Sequence, residues 1–224
     1  MNARMPGVAL TGLSLAALLV SPALAGQVAP QKHVHRVFDI MREGSKIGTD
    51  TFDISRQGDA TSVKVNTHIL VKVAFITAYR YDHSESGTWK GTQLVSFTSK
   101  TDDNGKDHKV AASQTGGKIA LDVDGTSTTA PKATQPASLW GAEVAKQKQI
   151  FDPANGKRMA VGVQDLGEET VEVHGVPQQL QHLKLTGAFP RDLWFDEDGL
   201  VKMTLRGSDN SLITSQLRTS TASN

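Results

Sequence analysis

The feature that most constrains this chain is an alternation of side-chain character over residues 63–81. The odd positions carry β-favouring residues, most of them apolar, whereas most even positions are polar or charged. A period of two is typical of a strand that buries one face and exposes the other to water. At ~3.3 Å per residue the segment would span roughly 60 Å, so it must bend strongly or break near residues 74–78. A bent strand lets a sheet curl, so this segment is the main basis for predicting a curved sheet.

The same alternation recurs along most of the chain and predicts further strands. Short turn sequences separate them at residues 44–45, 102–105, 115–117, 155–156, 196–199 and 208–210. Residues 136–151 form the main predicted helix, with Ser138 as its cap and Trp140, Val144 and Phe151 near one face. The prediction is a mainly β protein: a single curved antiparallel sheet or open barrel of about ten strands, with one helix.

The start of the chain has the composition of a secretory signal peptide. One positive charge, Arg4, precedes an apolar run over residues 8–20, and Ala23-Leu24-Ala25 fits the small-x-small pattern of a cleavage site. The run is too short for a stable membrane span. We therefore expect an exported protein, periplasmic or extracellular. Its expected divisions are a signal peptide over 1–25, a flexible lead-in over 26–34, a single β domain over 35–218 and a flexible tail over 219–224.

Charge and cysteine content narrow the classes of function. With Arg4 removed from the 24 Lys and Arg residues, 23 basic side chains balance 23 acidic ones, so the rest of the chain is formally neutral. Nucleic acids bind clustered basic surfaces, so we expect no nucleic-acid partner. The chain contains no cysteine, which excludes disulfides, thiol catalysis and Cys-ligated metal centres. No second apolar run approaches ~18 residues, so we expect no membrane span.

Motifs that carry known chemistry are missing from the sequence. His33 and His35 would point to the same side of a strand, but two ligands do not make a metal site. The other histidines are dispersed, at positions 68, 83, 108, 174 and 182. The Asp-Asp-Asn-Gly turn at 102–105 fails as a calcium loop, because Lys100 and Ala111 occupy its first and last ligand positions. We predict no catalytic residue, metal or cofactor. An enzyme or metal protein that uses dispersed His and carboxylate groups stays open.

Aromatic residues on or beside the long alternating segment are the strongest candidates for a binding site. They are Phe75, Tyr79, Tyr81, Trp89 and Phe97. On a curled sheet these side chains could enclose an apolar cavity. The alternative is that they fill an ordinary core.

Several segments carry a family resemblance. They are residues 47–49, 71–81, 89–90, 101–105 and 193–196, the last followed by Gly199-Leu200-Val201. Together they resemble an uncharacterised family of secreted bacterial β-proteins, known as a domain of unknown function, over about residues 35–218. The terminal hairpin pattern, strand-Asp-x-x-Gly-strand, is also similar to periplasmic curved-sheet lipoprotein carriers. That second resemblance implies a fold in which a curved sheet presents an apolar interior, and any function taken from it is analogy.

These features together predict an exported, non-catalytic envelope protein. Its expected ligand is apolar or amphipathic, a lipid or another hydrophobic small molecule, bound in the curved β-sheet. The main alternative is a periplasmic scaffold or assembly component, whose protein partner the sequence does not identify.

Overall fold

The computed structural model describes Met1 and residues 30–223 of the chain. Apart from Met1, the expected signal peptide lies outside the described residues. One short helix, α1 (Ala142–Ala145), interrupts a series of fifteen strands. The strands are β1 (Gln31–Arg42), β2 (Ser45–Gln57), β3 (Ala60–Val73), β4 (Ile76–Lys90), β5 (Gln93–Asp103), β6 (Lys106–Thr115), β7 (Lys118–Val123), β8 (Thr126–Pro131), β9 (Gln135–Pro136), β10 (Gln149–Phe151), β11 (Arg158–Val173), β12 (Val176–Gly187), β13 (Arg191–Asp196), β14 (Gly199–Arg206) and β15 (Leu212–Ser223).

All fifteen strands belong to one sheet, in the order β8-β7-β6-β5-β4-β3-β2-β1-β15-β14-β13-β12-β11-β10-β9. Neighbours are antiparallel except β9 and β10, which run parallel. The predicted curved antiparallel sheet is confirmed, with more strands than the expected ten. The barrel alternative is wrong, because β8 and β9 are edge strands that do not pair with each other. Within the described part of the chain, no helix is long and apolar enough to cross a membrane.

The connection between the two edge strands forces the sheet to curl. Laid flat, fifteen strands at ~4.8 Å spacing would place the edges roughly 65 Å apart. Yet β8 ends at Pro131 and β9 begins at Gln135. The chain between these two residues can span at most ~14 Å. A further link crosses the gap, because Arg158 Nη1 donates a hydrogen bond to the Thr129 carbonyl at 2.9 Å. The sheet therefore wraps around an interior and stops short of closure.

The long alternating segment breaks into a hairpin instead of continuing as one bent strand. The chain turns at Ala74 and Phe75, where Ala74 has a φ of 54°. Val63 and Val65 of β3 face the interior and are buried. Pairing with β2 ends at Ile69, and pairing with β5 ends at Tyr81, so the tip of the β3–β4 hairpin projects beyond both neighbouring strands. Phe75 at this tip is fully exposed.

The segment between β8 and β11 lies inside the curl; we call residues 135–156 the inner segment. The helix predicted over 136–151 is wrong, since only α1 is helical. Pro136 pairs in β9, Leu139 has a φ of 53°, and β10 pairs with β11. Ser138 caps nothing, and Gly141 precedes α1 without a side-chain cap. The apolar residues are spaced as on one face of a helix. An irregular segment packed inside a curved sheet also needs apolar side chains, so this spacing does not require a helix.

Aromatic contacts attach the inner segment to the concave face. The rings of Trp89 and Trp140 meet edge-to-face at 5.2 Å, and those of Phe97 and Phe151 at 5.3 Å. Trp89 Nε1 donates to Gln135 Oε1 at 2.8 Å. The indole of Trp89 lies over Gly87, where an added Cβ would come within 2.5 Å of the ring. These residues build the main core at one end of the concavity.

A buried arginine joins β1 to the β13–β14 turn. Arg36 is 2% exposed and donates to both carboxylate oxygens of Asp196 at 2.7 Å, and to the Leu200 carbonyl at 2.6 Å. A buried guanidinium is tolerated when its charge is paired and hydrogen-bonded in this way. The contact fixes the curl of the sheet across β1, β15 and β14.

The outer face carries a second, smaller core. Trp194 points opposite to its neighbour Leu193 and packs with Val171, Val173, Leu180 and Val201. A bulge between Asp165 and Gly167 lets the end of the β11–β12 hairpin bend onto this face. These contacts therefore cover part of the outer surface of β13 and β14.

The two ends of the described chain are paired strands. Val34, inside the expected lead-in, is fully buried in β1. Residues 219–223, expected as tail, belong to β15, where Thr219 pairs with Val37 and Ser223 with His33. The β domain therefore extends in both directions beyond residues 35–218.

Replacing Trp89 with Ala tests the attachment of the inner segment. The change removes a side chain that is 2% exposed and leaves the Gln135 oxygen without its donor. We expect the free energy of unfolding in denaturant to fall by about 3–5 kcal/mol. Val95→Ala, at a position 43% exposed, is the control and should change it by less than about 0.5 kcal/mol. Equal effects of the two substitutions would contradict this packing.

Candidate functional site

A cavity remains where the inner segment does not fill the concave face. Its volume is about 320 Å³, at the lower end of the ~300–1,000 Å³ typical of small-molecule sites. One wall comes from β2, β3 and β4, and a second from β13, β14 and β15. The first wall contains Asp50, Phe52, Val65, Thr67, Ile69, Tyr81, His83 and Glu85; the second contains Arg191, Leu200, Met203, Leu205, Ile213 and Ser215. The inner segment closes the base with residues 137–139 and 152–154.

A row of polar side chains crosses the first wall in strand register. Asp50 of β2 pairs with Thr67 of β3, which pairs with His83 of β4, which pairs with Thr101 of β5. Thr67 Oγ1 donates to the Asp50 carboxylate. His83 Nδ1 and Thr101 Oγ1 are 2.8 Å apart. Asp50, His83 and Thr101 are buried and Thr67 is half-buried. Because the row is internally hydrogen-bonded, its polar atoms are largely used within the wall.

Asp50 is the most perturbed carboxyl of this wall. Burial raises its pKa to about 6, against the lowering effect of the Thr67 hydrogen bond, and the nearby Glu85 charge raises it further. Burial also raises the pKa of the Tyr81 phenol, with Asp152 as the largest charged contributor. The wall therefore holds a carboxyl group that becomes protonated under mildly acidic conditions.

His83 resembles an acid–base group in position but not in its bonding. Its Nε2 lies 3.1 Å from Glu85 Oε2, while Nδ1 contacts Thr101. Both ring nitrogens are therefore engaged within the wall. A general base needs a free nitrogen within reach of its substrate, so this arrangement favours a structural role for the His83–Glu85 pair.

The second wall has a different electrostatic character. The Arg191 guanidinium lies over the Phe189 ring at 3.1 Å, and Nη1 is 3.5 Å from Met203 Sδ. Burial lowers the pKa of Arg191 to about 9, partly offset by the charge of Asp152. Among the described residues, no carboxylate forms an ion pair with this arginine. An arginine held among apolar groups with no ion-pair partner is costly to fold and marks a candidate binding group.

Unpaired donors also converge on the cavity. Arg191 Nε and the hydroxyl oxygens of Ser138 and Ser215 are buried without hydrogen-bond partners in the described part of the protein. All three residues line the cavity. Ser215 is only 2% exposed. Buried polar atoms are nearly always hydrogen-bonded, so these three atoms are exceptions that lie at the cavity.

The sequence-predicted aromatic residues separate into four environments. Tyr81 lines the cavity. Trp89 and Phe97 are buried in the main core at the end filled by the inner segment. Tyr79 is half-buried beside Asp103, to which it hydrogen-bonds, and burial raises its pKa to about 12. Phe75 lies at the exposed hairpin tip, outside the cavity lining.

Most of the histidines contact a nearby carboxylate. His35 Nδ1 lies 2.6 Å from Asp53, whose carboxylate is 3.9 Å from His33. His108 contacts Asp124, and His182 contacts both Glu169 and Asp192. No group of three or more His, Asp or Glu residues in the described regions is arranged to hold a metal ion.

A family model described as a domain of unknown function, DUF6134, matches residues 38–218. The chain belongs to the DUF6134 family. No curated protein matches its sequence. The matched residues run from β1 to β15, so DUF6134 spans both walls of the cavity as well as the inner segment.

The pH dependence of stability tests the environment of Asp50. Because its pKa is raised on folding from an ordinary value near 4 to about 6, the folded state binds the proton more tightly. Stability should therefore fall as pH rises from 4 to 6, by about 2–3 kcal/mol from this group. Urea unfolding of wild type and Asp50→Asn measures it: the stability of wild type relative to the variant should decline over this range.

The control is Thr67→Val, which removes the hydrogen bond that lowers the Asp50 pKa. In this variant the decline should extend to higher pH. A stability difference between wild type and Asp50→Asn that does not change with pH would show that Asp50 is not buried in this way.

Proposed function

We propose that this DUF6134 protein is an exported, non-catalytic envelope protein that binds an apolar or amphipathic ligand in the concavity of its curved sheet. The observation that carries the proposal is the cavity of about 320 Å³, whose lining is mostly apolar and includes unpaired buried donors. Apolar space that stays empty loses packing contacts on every side. A molecule with an apolar part would restore the packing contacts, and its polar atoms would accept hydrogen bonds from the unpaired donors.

The size of the cavity limits the class of ligand. At ~30 Å³ for a water-sized group, 320 Å³ accommodates on the order of ten such groups. That suits a single medium-length chain or a compact hydrophobic metabolite. Burial of a chain at ~25 cal/mol per Å² gives the driving force. Export is supported by the composition of the leader, and the similarity to lipoprotein carriers is an analogy of fold.

The polar row supports binding over catalysis. Asp50 accepts a hydrogen bond from Thr67, and His83 is engaged through both ring nitrogens. Asp50 and His83 are therefore hydrogen-bonded to other residues of the wall. A ligand held beside them would meet a pre-formed, hydrogen-bonded surface.

Calorimetric titration with 1-decanol, a neutral single-chain amphiphile, tests the proposal. We expect saturable binding at about one molecule per chain. Leu205→Trp places an indole in the cavity, since Leu205 lines it, and should weaken binding about tenfold or more. Thr204→Trp is the matched control, because the adjacent side chain on β14 points to the opposite face. Absence of binding to the folded wild type, or equal binding by both variants, would contradict the proposal.

A scaffold or assembly role is the second candidate, and the β3–β4 hairpin favours it. Phe75 is fully exposed and Ile76 is 74% exposed at a tip that projects beyond its neighbours. Exposed apolar groups of this kind often contact other proteins. Phe75→Ser with Ile76→Ser would then abolish association with a defined partner chain while leaving decanol binding intact. Unchanged association would rule this role out for the hairpin.

A further inference from the structure

The unpaired groups of the cavity share one chemical property, which is that each can donate a hydrogen bond. Arg191 Nε carries one N–H, and the Ser138 and Ser215 hydroxyls each carry one O–H. The acids of the opposite wall differ, because Asp50 accepts from Thr67 and Glu85 contacts His83. The cavity therefore has unmet donors on the second wall and the inner segment, and on the first wall two acids that each already have a polar contact within that wall.

Strand register brings two of these donors together. Met203 of β14 pairs with Ser215 of β15, and Arg191 Nη1 reaches Met203 Sδ at 3.5 Å. The guanidinium thus contacts the side chain of the residue that pairs with Ser215 in the sheet. Arg191 and Ser215 are therefore both neighbours of Met203, and a group bound beside Met203 would lie next to each of them.

We propose that the head group bound here is a carboxylate, so that the ligand is a single-chain carboxylic acid held by Arg191 and Ser215, with Ser138 as a further donor on the inner segment. This inference rests on the proposed ligand-binding function. A carboxylate offers only acceptor atoms, and the planar guanidinium matches its geometry. The tail would occupy the apolar part of the cavity formed by residues such as Phe52, Val65 and Leu205.

The charges around the site agree with a negative head near Arg191. Asp152 raises the pKa of Arg191 through its charge but forms no ion pair with it, so among the described residues no carboxylate pairs with the guanidinium. The carboxylate of Asp152 is occupied by the Ala154 backbone N–H at 2.8 Å and the Asn155 amide at 3.0 Å. Tyr81, His83, Glu85 and Asp50 face the cavity from the first wall. The acids among them would repel a carboxylate and keep its head at the arginine.

Decanoate and 1-decanol, which have chains of the same length and differ in the head, separate this inference from the proposed function. Calorimetry at pH 8 should show wild type binding decanoate about tenfold or more tightly than decanol. Arg191→Met should remove that preference with little change in decanol affinity. Arg191→Lys should retain part of it, because the charge remains but the planar fork is lost. Ser215→Ala should weaken decanoate binding more than decanol binding.

Each outcome decides a different question. Equal affinity of wild type for the two probes, or a preference that survives Arg191→Met, overturns the carboxylate assignment while leaving the proposed function standing. Failure of both probes to bind folded wild type overturns the proposed function itself.

If Arg191→Met does not fold, carbon-13 NMR of carboxyl-labelled decanoate on wild type gives the answer. A bound carboxyl pKa below that of free decanoate supports the pairing with arginine. A pKa above it places the head in apolar surroundings and overturns the assignment.

Discussion

The short step from β8 to β9 is the constraint on which the rest of this structure depends. Residues 132–134 join the two edges of a fifteen-stranded sheet, so the sheet cannot lie flat. Curling creates a concave face much larger than one helix could cover. The same step directs the following residues into the interior, where they form β9, α1 and β10. Curvature and interior packing are therefore consequences of one connection.

The inner segment fills the concavity unevenly, and that unevenness creates the site. Trp140 and Phe151 pack against Trp89 and Phe97 at one end. At that end Trp89 Nε1 is paired with Gln135 Oε1, whereas Trp140 Nε1 is buried without a hydrogen-bond partner in the described part of the protein. The cavity has hydrogen-bonded acids on one wall and Arg191 on the other. Three of the unpaired buried donors, on Arg191, Ser138 and Ser215, line the cavity.

Much of the architecture follows from the sequence because strands and tight turns are local. The period of two predicted the β segments, and Asn104-Gly105, with φ values of 53° and 89°, turns β5 into β6 as expected. The helix predicted over 136–151 is wrong because the structure of that segment depends on distant contacts. Whether Trp140, Val144 and Phe151 mark a helical face or an irregular inner segment depends on what surrounds them, which spacing alone does not encode.

The site could be predicted only in part. Tyr81 was identified because it continues an apolar alternation beside other aromatic residues. Asp50 left a readable trace, since it occupies the same strand face as Phe52 and Ile54, where a carboxylate is unexpected. No sequence pattern indicates Arg191 or Ser215, because these two residues come close only through the pairing of β13, β14 and β15 around Met203. Such proximity is a property of register between distant segments.

Diffraction from crystals held under xenon pressure tests the central claim that the inner segment leaves apolar space on the concave face. Xenon enters apolar cavities that are empty or exchangeable. The account predicts xenon density bounded by Phe52, Val65 and Leu205, and its loss in Leu205→Trp. Absence of xenon from this region in wild type, with side chains of the two walls in direct contact, would contradict it.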